Sequence, residues 1–355
     1  MSDFELKIDG PGGFRHRRKA LGATSGELIT ESPLGAGDAF GLLMQPAAPN
    51  LKLAAWGGNN RETIDLRLQQ HGAILFRNFA LNSIEDFEQF TSAVTSEPVG
   101  YHDRTSPRSQ VSGNVYTSTD HPADQPIHLH NENSYSYSWP TRIFFFCVNP
   151  ADEGGQTPIA DCRKVFRRIS HGVRERFLRR GVMYVRNYGD GFGLTWQTVF
   201  QTTDRREVEA YCRATGIEYE WKDADRLRTR QVRPAAVKHP RTGEDVWFNQ
   251  AALFHFTSLD SAVSDALLAE FAEADLPFNA YYGDGSPFAH AELEEVREAY
   301  RHETFMFDWQ RGDLLMLDNM LAAHGRAPFA GARKIVVRMA DSLNWTDLEA
   351  GGSRL

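Results

Sequence analysis

His130 and Glu132 stand two residues apart in the stretch Pro126-Ile127-His128-Leu129-His130-Asn131-Glu132-Asn133-Ser134-Tyr135. Alternate side chains on a strand share a face, so this imidazole and this carboxylate are expected to point the same way. Two such groups form two sides of a metal site that needs a third ligand from elsewhere. That ligand is expected at His324, far along the chain. A fold that joins residues 130 and 324 must close most of the chain into one unit, which leaves few architectures open.

Two histidines and one carboxylate are the donor set of the facial triad that holds non-haem Fe(II). The spacing alone is a weak signal, because the chain has 12 histidines among 47 acidic residues. A rival pair, His290-Ala291-Glu292, opens the polar run Glu292-Leu293-Glu294-Glu295-Val296-Arg297-Glu298. That run reads as a helix, where residues two apart diverge by about 200°, so the pair is assigned to a solvated helix face. His128 is in phase with His130 and reads as a packed or supporting histidine.

Composition narrows the class. With 355 residues, 41% hydrophobic and 12% aromatic, the chain can build a sizeable core. A net charge of −8 argues against general nucleic-acid binding. No stretch approaches the roughly 20 apolar residues of a membrane span, and no apolar signal-peptide core is present. A cytoplasmic protein is therefore expected. Cys147, Cys162 and Cys212 are scattered and read as buried free thiols.

Residues 1–50 read as an N-terminal arm and residues 51–355 as a single domain, with a helical, polar insertion around 190–233. Helices are expected at Arg61–Gln70, after a Ser83 cap with Ile84, Phe87, Phe90 and Val94 at helical spacing, and at Ala262–Ala274 as an amphipathic helix. Strands are expected at Ala73–Phe76, Thr141–Val148, Val182–Tyr188, Leu314–Asn319 and Lys334–Met339. The region Thr95–Gln125 is dense in Ser, Thr, Pro, Gly and Asp and reads as a long loop, such as a lid. Many short strands with a few helices suggest a mainly β, double-sheet jelly roll (a double-stranded β-helix) with helices packed outside.

Several segments, in order, resemble the taurine dioxygenase-like (TauD/TfdA) superfamily of Fe(II)/2-oxoglutarate dioxygenases. They are His130-Asn131-Glu132, Glu153-Gly154-Gly155-Gln156-Thr157-Pro158, Trp247-Phe248-Asn249-Gln250, Tyr282-Gly283-Asp284-Gly285, Leu317-Asp318-Asn319, and His324-Gly325-Arg326 through Phe329-Ala330-Gly331-Ala332-Arg333. The closest resemblance is to amino-acid hydroxylases of natural-product biosynthesis, which carry Glu rather than Asp as ligand. It implies Fe(II), 2-oxoglutarate and O2 as cofactor and cosubstrates, with His130, Glu132 and His324 as metal ligands. It implies hydroxylation of an amino acid, free or tethered to a carrier protein, with succinate and CO2 as co-products. Desaturation or cyclisation, or a non-catalytic jelly-roll binding protein, are the alternatives. A halogenase is disfavoured because Glu132 fills the carboxylate position.

By the same resemblance, Thr157 is expected to meet the distal carboxylate of 2-oxoglutarate. The basic partner of that carboxylate is expected at Arg333 or Arg338, which are five apart and so face opposite ways on an unbroken strand. Arg333 shares a face with Ile335, Val337 and Met339, suited to a barrel interior, and is the chosen residue. Arg338 is left to the substrate or the outer surface. Asn249 and His255 read as structural rather than pocket residues, Tyr135, Tyr137 and Trp139 as core and pocket wall. Arg104 and Arg108 stand in the expected lid as possible contacts to a substrate carboxylate.

Overall fold

Ile143-Phe144-Phe145-Phe146-Cys147 has no polar face because both of its faces are covered. In a computed structural model, which describes residues 28–35, 40–96, 110–117, 121–189, 193–223 and 225–352, this run lies in the strand Ser138–Asn149, inside an eight-stranded sheet. Ile143, Phe145 and Cys147 point into a core shared with a second sheet. Phe144 and Phe146 point the other way, onto the helix Ile84–Val94. Phe146 stacks on Phe87 with ring centroids 5.4 Å apart, and Phe90 meets Phe144 edge-on at 6.4 Å. Phe144→Ala would cost about 3–5 kcal/mol, the usual range for an aromatic deleted from a core.

The eight-stranded sheet runs, edge to edge, through Ile29–Pro33, Leu42–Pro46, Ala73–Phe76, Leu314–Asp318, Ser138–Asn149, Lys334–Asn344, Val115–Thr117 and Gln110–Ser112. Every pairing is antiparallel except that of Leu42–Pro46 with Ala73–Phe76. Facing it is a four-stranded antiparallel sheet of Thr304–Phe305, Ile159–Asp161, Ala322–Arg326 and Ile127–His130. Ile335, Val337 and Met339 from one sheet and Ile159 and Ala322 from the other close the core between them. The result is a jelly roll with helices on both outer faces.

Ser83 caps the helix Ile84–Val94 by accepting the Asp86 N–H at 3.1 Å. Such a cap contributes about 1 kcal/mol. The helix buries Phe87, Phe90, Thr91 and Val94.

Some expectations change. Part of the arm is sheet, since Ile29–Pro33 and Leu42–Pro46 extend its edge. The loop expected over Thr95–Gln125 contains a short hairpin, Gln110–Ser112 with Val115–Thr117, which joins the same sheet. The rest of that loop, including Arg104 and Arg108, falls largely outside the described residues. The helix expected to be amphipathic, Ser261–Glu270, buries none of its residues. The insertion has a core of its own: Trp196, Val199, Val208, Cys212, Ile217 and Leu227 pack together beneath the strand pair Val182–Tyr188 and Leu227–Arg233.

Cys147, Cys162 and Cys212 are free and buried. Burial pushes the Cys147 and Cys162 thiols up to about 12, so they stay protonated. Among the described residues, no helix is long and apolar enough to cross a membrane.

Candidate active site

Ile127–His130 pairs with Ala322–Arg326 in a register that sets His130 directly opposite His324. Their rings lie 4.5 Å apart between centroids. The strand ends at His130, so Glu132 sits in the following turn, not on the strand as the alternation argument assumed. The carboxylate still converges. His130 Nε2 is 4.0 Å from Glu132 Oε2, and one donor atom from each of His130, Glu132 and His324 lies within 4.8 Å of the others. All three residues are half-buried or buried.

The backbone decides the tautomer of His130. Its Nδ1 lies 2.8 Å from the His128 carbonyl, which can only accept, so Nδ1 carries the hydrogen and Nε2 offers its lone pair. His128 therefore supports the site through its main chain.

Asn319 holds the turn that carries Glu132. Its Oδ1 accepts the Glu132 N–H at 2.8 Å, and its Nδ2 donates to the Glu132 carbonyl at 2.9 Å and the Pro140 carbonyl at 2.8 Å. Asn131 Nδ2 donates to the Asn319 carbonyl at 2.6 Å, and Gln250 Nε2 to the Asn131 carbonyl, also at 2.6 Å. Asn133 takes the left-handed conformation that turns the chain away (φ 55°). Between the two histidine strands the backbones come unusually close. A Cβ added at Gly325 would lie 2.4 Å from the Ile127 carbonyl oxygen, so only glycine fits there.

A second polar cluster borders the inter-sheet core. Thr157 is 2% exposed, and its Oγ1 accepts the indole N–H of Trp309 at 3.1 Å. Arg333 Nε donates to the Gly155 carbonyl at 2.9 Å, two residues before Thr157. Burial, reinforced by the charge of Arg326, pushes the Arg333 guanidinium down to about 10. Among the described residues, no acceptor takes the Thr157 hydroxyl hydrogen and no carboxylate pairs with Arg333. The buried Thr157 hydroxyl and the half-buried Arg333 guanidinium are donors of the kind that meets an anion. Arg338 faces the other way: its Nη1 donates to Thr91 Oγ1 at 2.9 Å and Ser92 Oγ at 3.1 Å, on the outer helix.

Residues 38–340 match the model of the "Taurine catabolism dioxygenase TauD, TfdA family". The chain belongs to the TauD/TfdA family of dioxygenases. It is similar to the dapdiamide synthesis protein DdaC of Enterobacter agglomerans, 40% identical over 278 residues, 78% of this chain and 84% of that protein. It is also similar to the clavaminate synthase-like protein At3g21360 of Arabidopsis thaliana, 28% identical over 286 residues, 78% and 83% of the two chains. Among solved structures, PvcB from Pseudomonas aeruginosa shares the fold with a TM-score of 0.54 at 18% identity, covering 90% of this chain and 93% of that one.

On this TauD/TfdA-family scaffold the other residues singled out have structural partners. Asn249 donates to the Ala235 carbonyl and accepts the Ala251 N–H. His255 caps a short 3-10 turn by accepting the Thr257 N–H. Glu292 of the rival pair is buried rather than solvated. It takes the Tyr282 hydroxyl at 2.8 Å, the Ala289 N–H at 3.0 Å and the Arg176 guanidinium. The motifs that contain Asn319 and Gly325 give neither residue a role. A polar residue at the end of the apolar strand Leu314–Asp318 was the available signal for the first, and none marked the second.

Two cavities share His128, two residues from His130, as part of their walls. The larger, about 1070 Å³, is lined by His128, Arg186, Tyr188, Gln250, Phe254 and Phe278 among others. The smaller, about 330 Å³, is lined by His128, Asn249, Arg297 and Tyr300. The three clustered donors line neither, and His128 borders both.

Proposed function

We propose that this chain is a cytoplasmic Fe(II)- and 2-oxoglutarate-dependent oxygenase that hydroxylates an unactivated C–H bond of an amino acid, free or tethered to a carrier protein. The observation that carries the reading is the convergence of two imidazoles and one carboxylate on one point. His130, Glu132 and His324 would hold the iron, a donor set that suits Fe(II). Thr157 and Arg333 would hold the distal carboxylate of 2-oxoglutarate, supplying a hydroxyl donor and a planar cation to it. Iron with 2-oxoglutarate and O2 supplies the oxidising power, releasing succinate and CO2.

The protein's own part is placement and exclusion of water. His128 and Asn319 orient the ligand side chains, the inter-sheet aromatics keep the cosubstrate side dry, and the larger cavity takes the substrate. Residues 51–355 form the body of the catalytic domain, and the arm 1–50 adds the strands Ile29–Pro33 and Leu42–Pro46 to its sheet. The 40% identity with a protein named for dapdiamide synthesis supports a biosynthetic role.

Anaerobic addition of Fe(II) and 2-oxoglutarate tests the reading: a weak visible charge-transfer band is expected. Free and carrier-loaded amino acids are then compared for stimulated succinate formation. No band and no 2-oxoglutarate turnover would refute it.

A further inference from the structure

Two adjacent cross-links join the segment before Pro158 to the segment before the strand Leu314–Asp318. Gln156 Nε2 donates to Asp308 Oδ1 at 2.9 Å, and Trp309 Nε1 donates to Thr157 Oγ1 at 3.1 Å. The second segment is itself pinned. Arg77 grips Asp313 through two bonds of 3.0 and 2.6 Å and donates to the Asp308 carbonyl at 2.7 Å, while Gln310 N–H donates to Asp313 Oδ2 at 2.7 Å. Trp309 is 8% exposed and packs edge-on against Phe307, centroids 4.9 Å apart. The indole therefore has a fixed position and direction.

An indole N–H can only donate, so it forces Thr157 Oγ1 to act as acceptor on that side. The hydroxyl hydrogen must then leave in another direction, where no described residue accepts it. Trp309 thus occupies one lone pair of the hydroxyl, fixes its orientation and leaves its hydrogen to donate elsewhere. A chain of donors ending on an anion also strengthens each member by polarisation.

We propose that Trp309 is a positioning residue for 2-oxoglutarate: through its N–H it orients Thr157 to donate to the distal carboxylate. This rests on the assignment of Thr157 and Arg333 to that carboxylate.

The test measures keto-acid affinity from the charge-transfer band of the Fe(II)-loaded protein. Trp309→Phe, which keeps an aromatic ring and removes the N–H, should weaken 2-oxoglutarate binding roughly three- to tenfold, the scale of one hydrogen bond. It should leave Fe(II) affinity unchanged. Binding of 2-oxobutyrate, which lacks a distal carboxylate, should also be unchanged. Combined with Thr157→Val, it should add nothing to the loss caused by Thr157→Val alone. Trp309→His, with a ring N–H, should retain more 2-oxoglutarate affinity than Trp309→Phe and provides a second variant if the first folds poorly. Equal weakening of both keto acids, or full additivity with Thr157→Val, would overturn the role of Trp309 alone. If Thr157→Val and Arg333→Gln both leave 2-oxoglutarate affinity intact, the underlying assignment fails instead.

Discussion

Gly325→Ala replaces one hydrogen by a methyl group at the tightest point between the two histidine strands. The new Cβ would lie 2.4 Å from the Ile127 carbonyl oxygen and 3.3 Å from the His128 carbonyl carbon and the Leu129 nitrogen. Real Cβ atoms essentially never come closer than 3.0 Å, so the strands must part by about 0.6 Å or more. All three obstacles are backbone, so no side chain can swing aside. The stability cost should be about 1–3 kcal/mol, as for other overpacked sites. The functional cost should be larger, because His324 and His130 sit on the two strands being separated. Metal–ligand lengths tolerate only about ±0.2 Å. Fe(II) affinity should fall about 10- to 100-fold, the scale seen when supports of metal ligands are disturbed. Anaerobic Fe(II) titration at saturating 2-oxoglutarate, with a thermal melt of the apo protein, measures both. Gly58→Ala is the control: its Cβ would meet only Ala93 Cβ, at 3.6 Å, within the helix Leu53–Asn59. It should stabilise by about 0.5–1 kcal/mol and leave iron binding alone. If Gly325→Ala binds Fe(II) and melts like the wild type, the account of the strand pair is wrong.

Asn319→Leu removes the partners of three buried backbone groups and should destabilise the apo protein by at least ~3 kcal/mol in urea unfolding; a loss under ~1 kcal/mol would rule out the clamp. Arg333→Gln should raise the 2-oxoglutarate KM at least about tenfold. Arg338→Gln should leave that KM unchanged and lower stability by ~1–2 kcal/mol, since it ties a strand to the outer helix; the reverse pattern in steady-state kinetics would exchange the two roles. Burial and the nearby Arg297 charge push His255 from 6.5 down to about 4. The unfolded chain therefore binds a proton that the folded one refuses, and stability should fall as pH drops from about 6.5 to 4. His255→Asn should flatten the melting temperature over that window, and an unchanged slope would refute the assignment.

Much of the fold was legible because burial on two faces leaves a plain mark. Ile143 to Cys147 and Ile335 to Val337 are apolar without interruption, and each proved to be a central strand. The edge strand Ile29–Pro33 carries little such signal, since four of its five residues are exposed. The sequence of Ser261–Glu270 shows a helix but does not show that none of its residues is buried among the described residues. At the site, the His130–Glu132 spacing pointed to two side chains that the structure does bring together, but for an incomplete reason. Their convergence depends on a turn held by Asn319, and no periodicity reports a side chain bonding to a distant backbone. The choice between Arg333 and Arg338 rested on face parity, and the structure places Arg338 against the outer helix. The Trp309–Thr157 bond joins segments remote in sequence and depends on atomic positions alone.

The central strand Ser138–Asn149 has as its two sheet neighbours Leu314–Asp318 and Lys334–Asn344, both made much later in synthesis. While the chain is being translated, that strand emerges with both hydrogen-bonding edges bare and its phenylalanines unsheltered on one side. Loop closure over such a span is slow, and bare strand edges recruit other chains. The helix Ile84–Val94, already made, can shield Phe144 and Phe146, leaving Ile143 and Phe145 as the exposed liability. A ribosome stalled before residue 314 would therefore hold an aggregation-prone half-sheet, and chaperone demand during expression should peak in that interval.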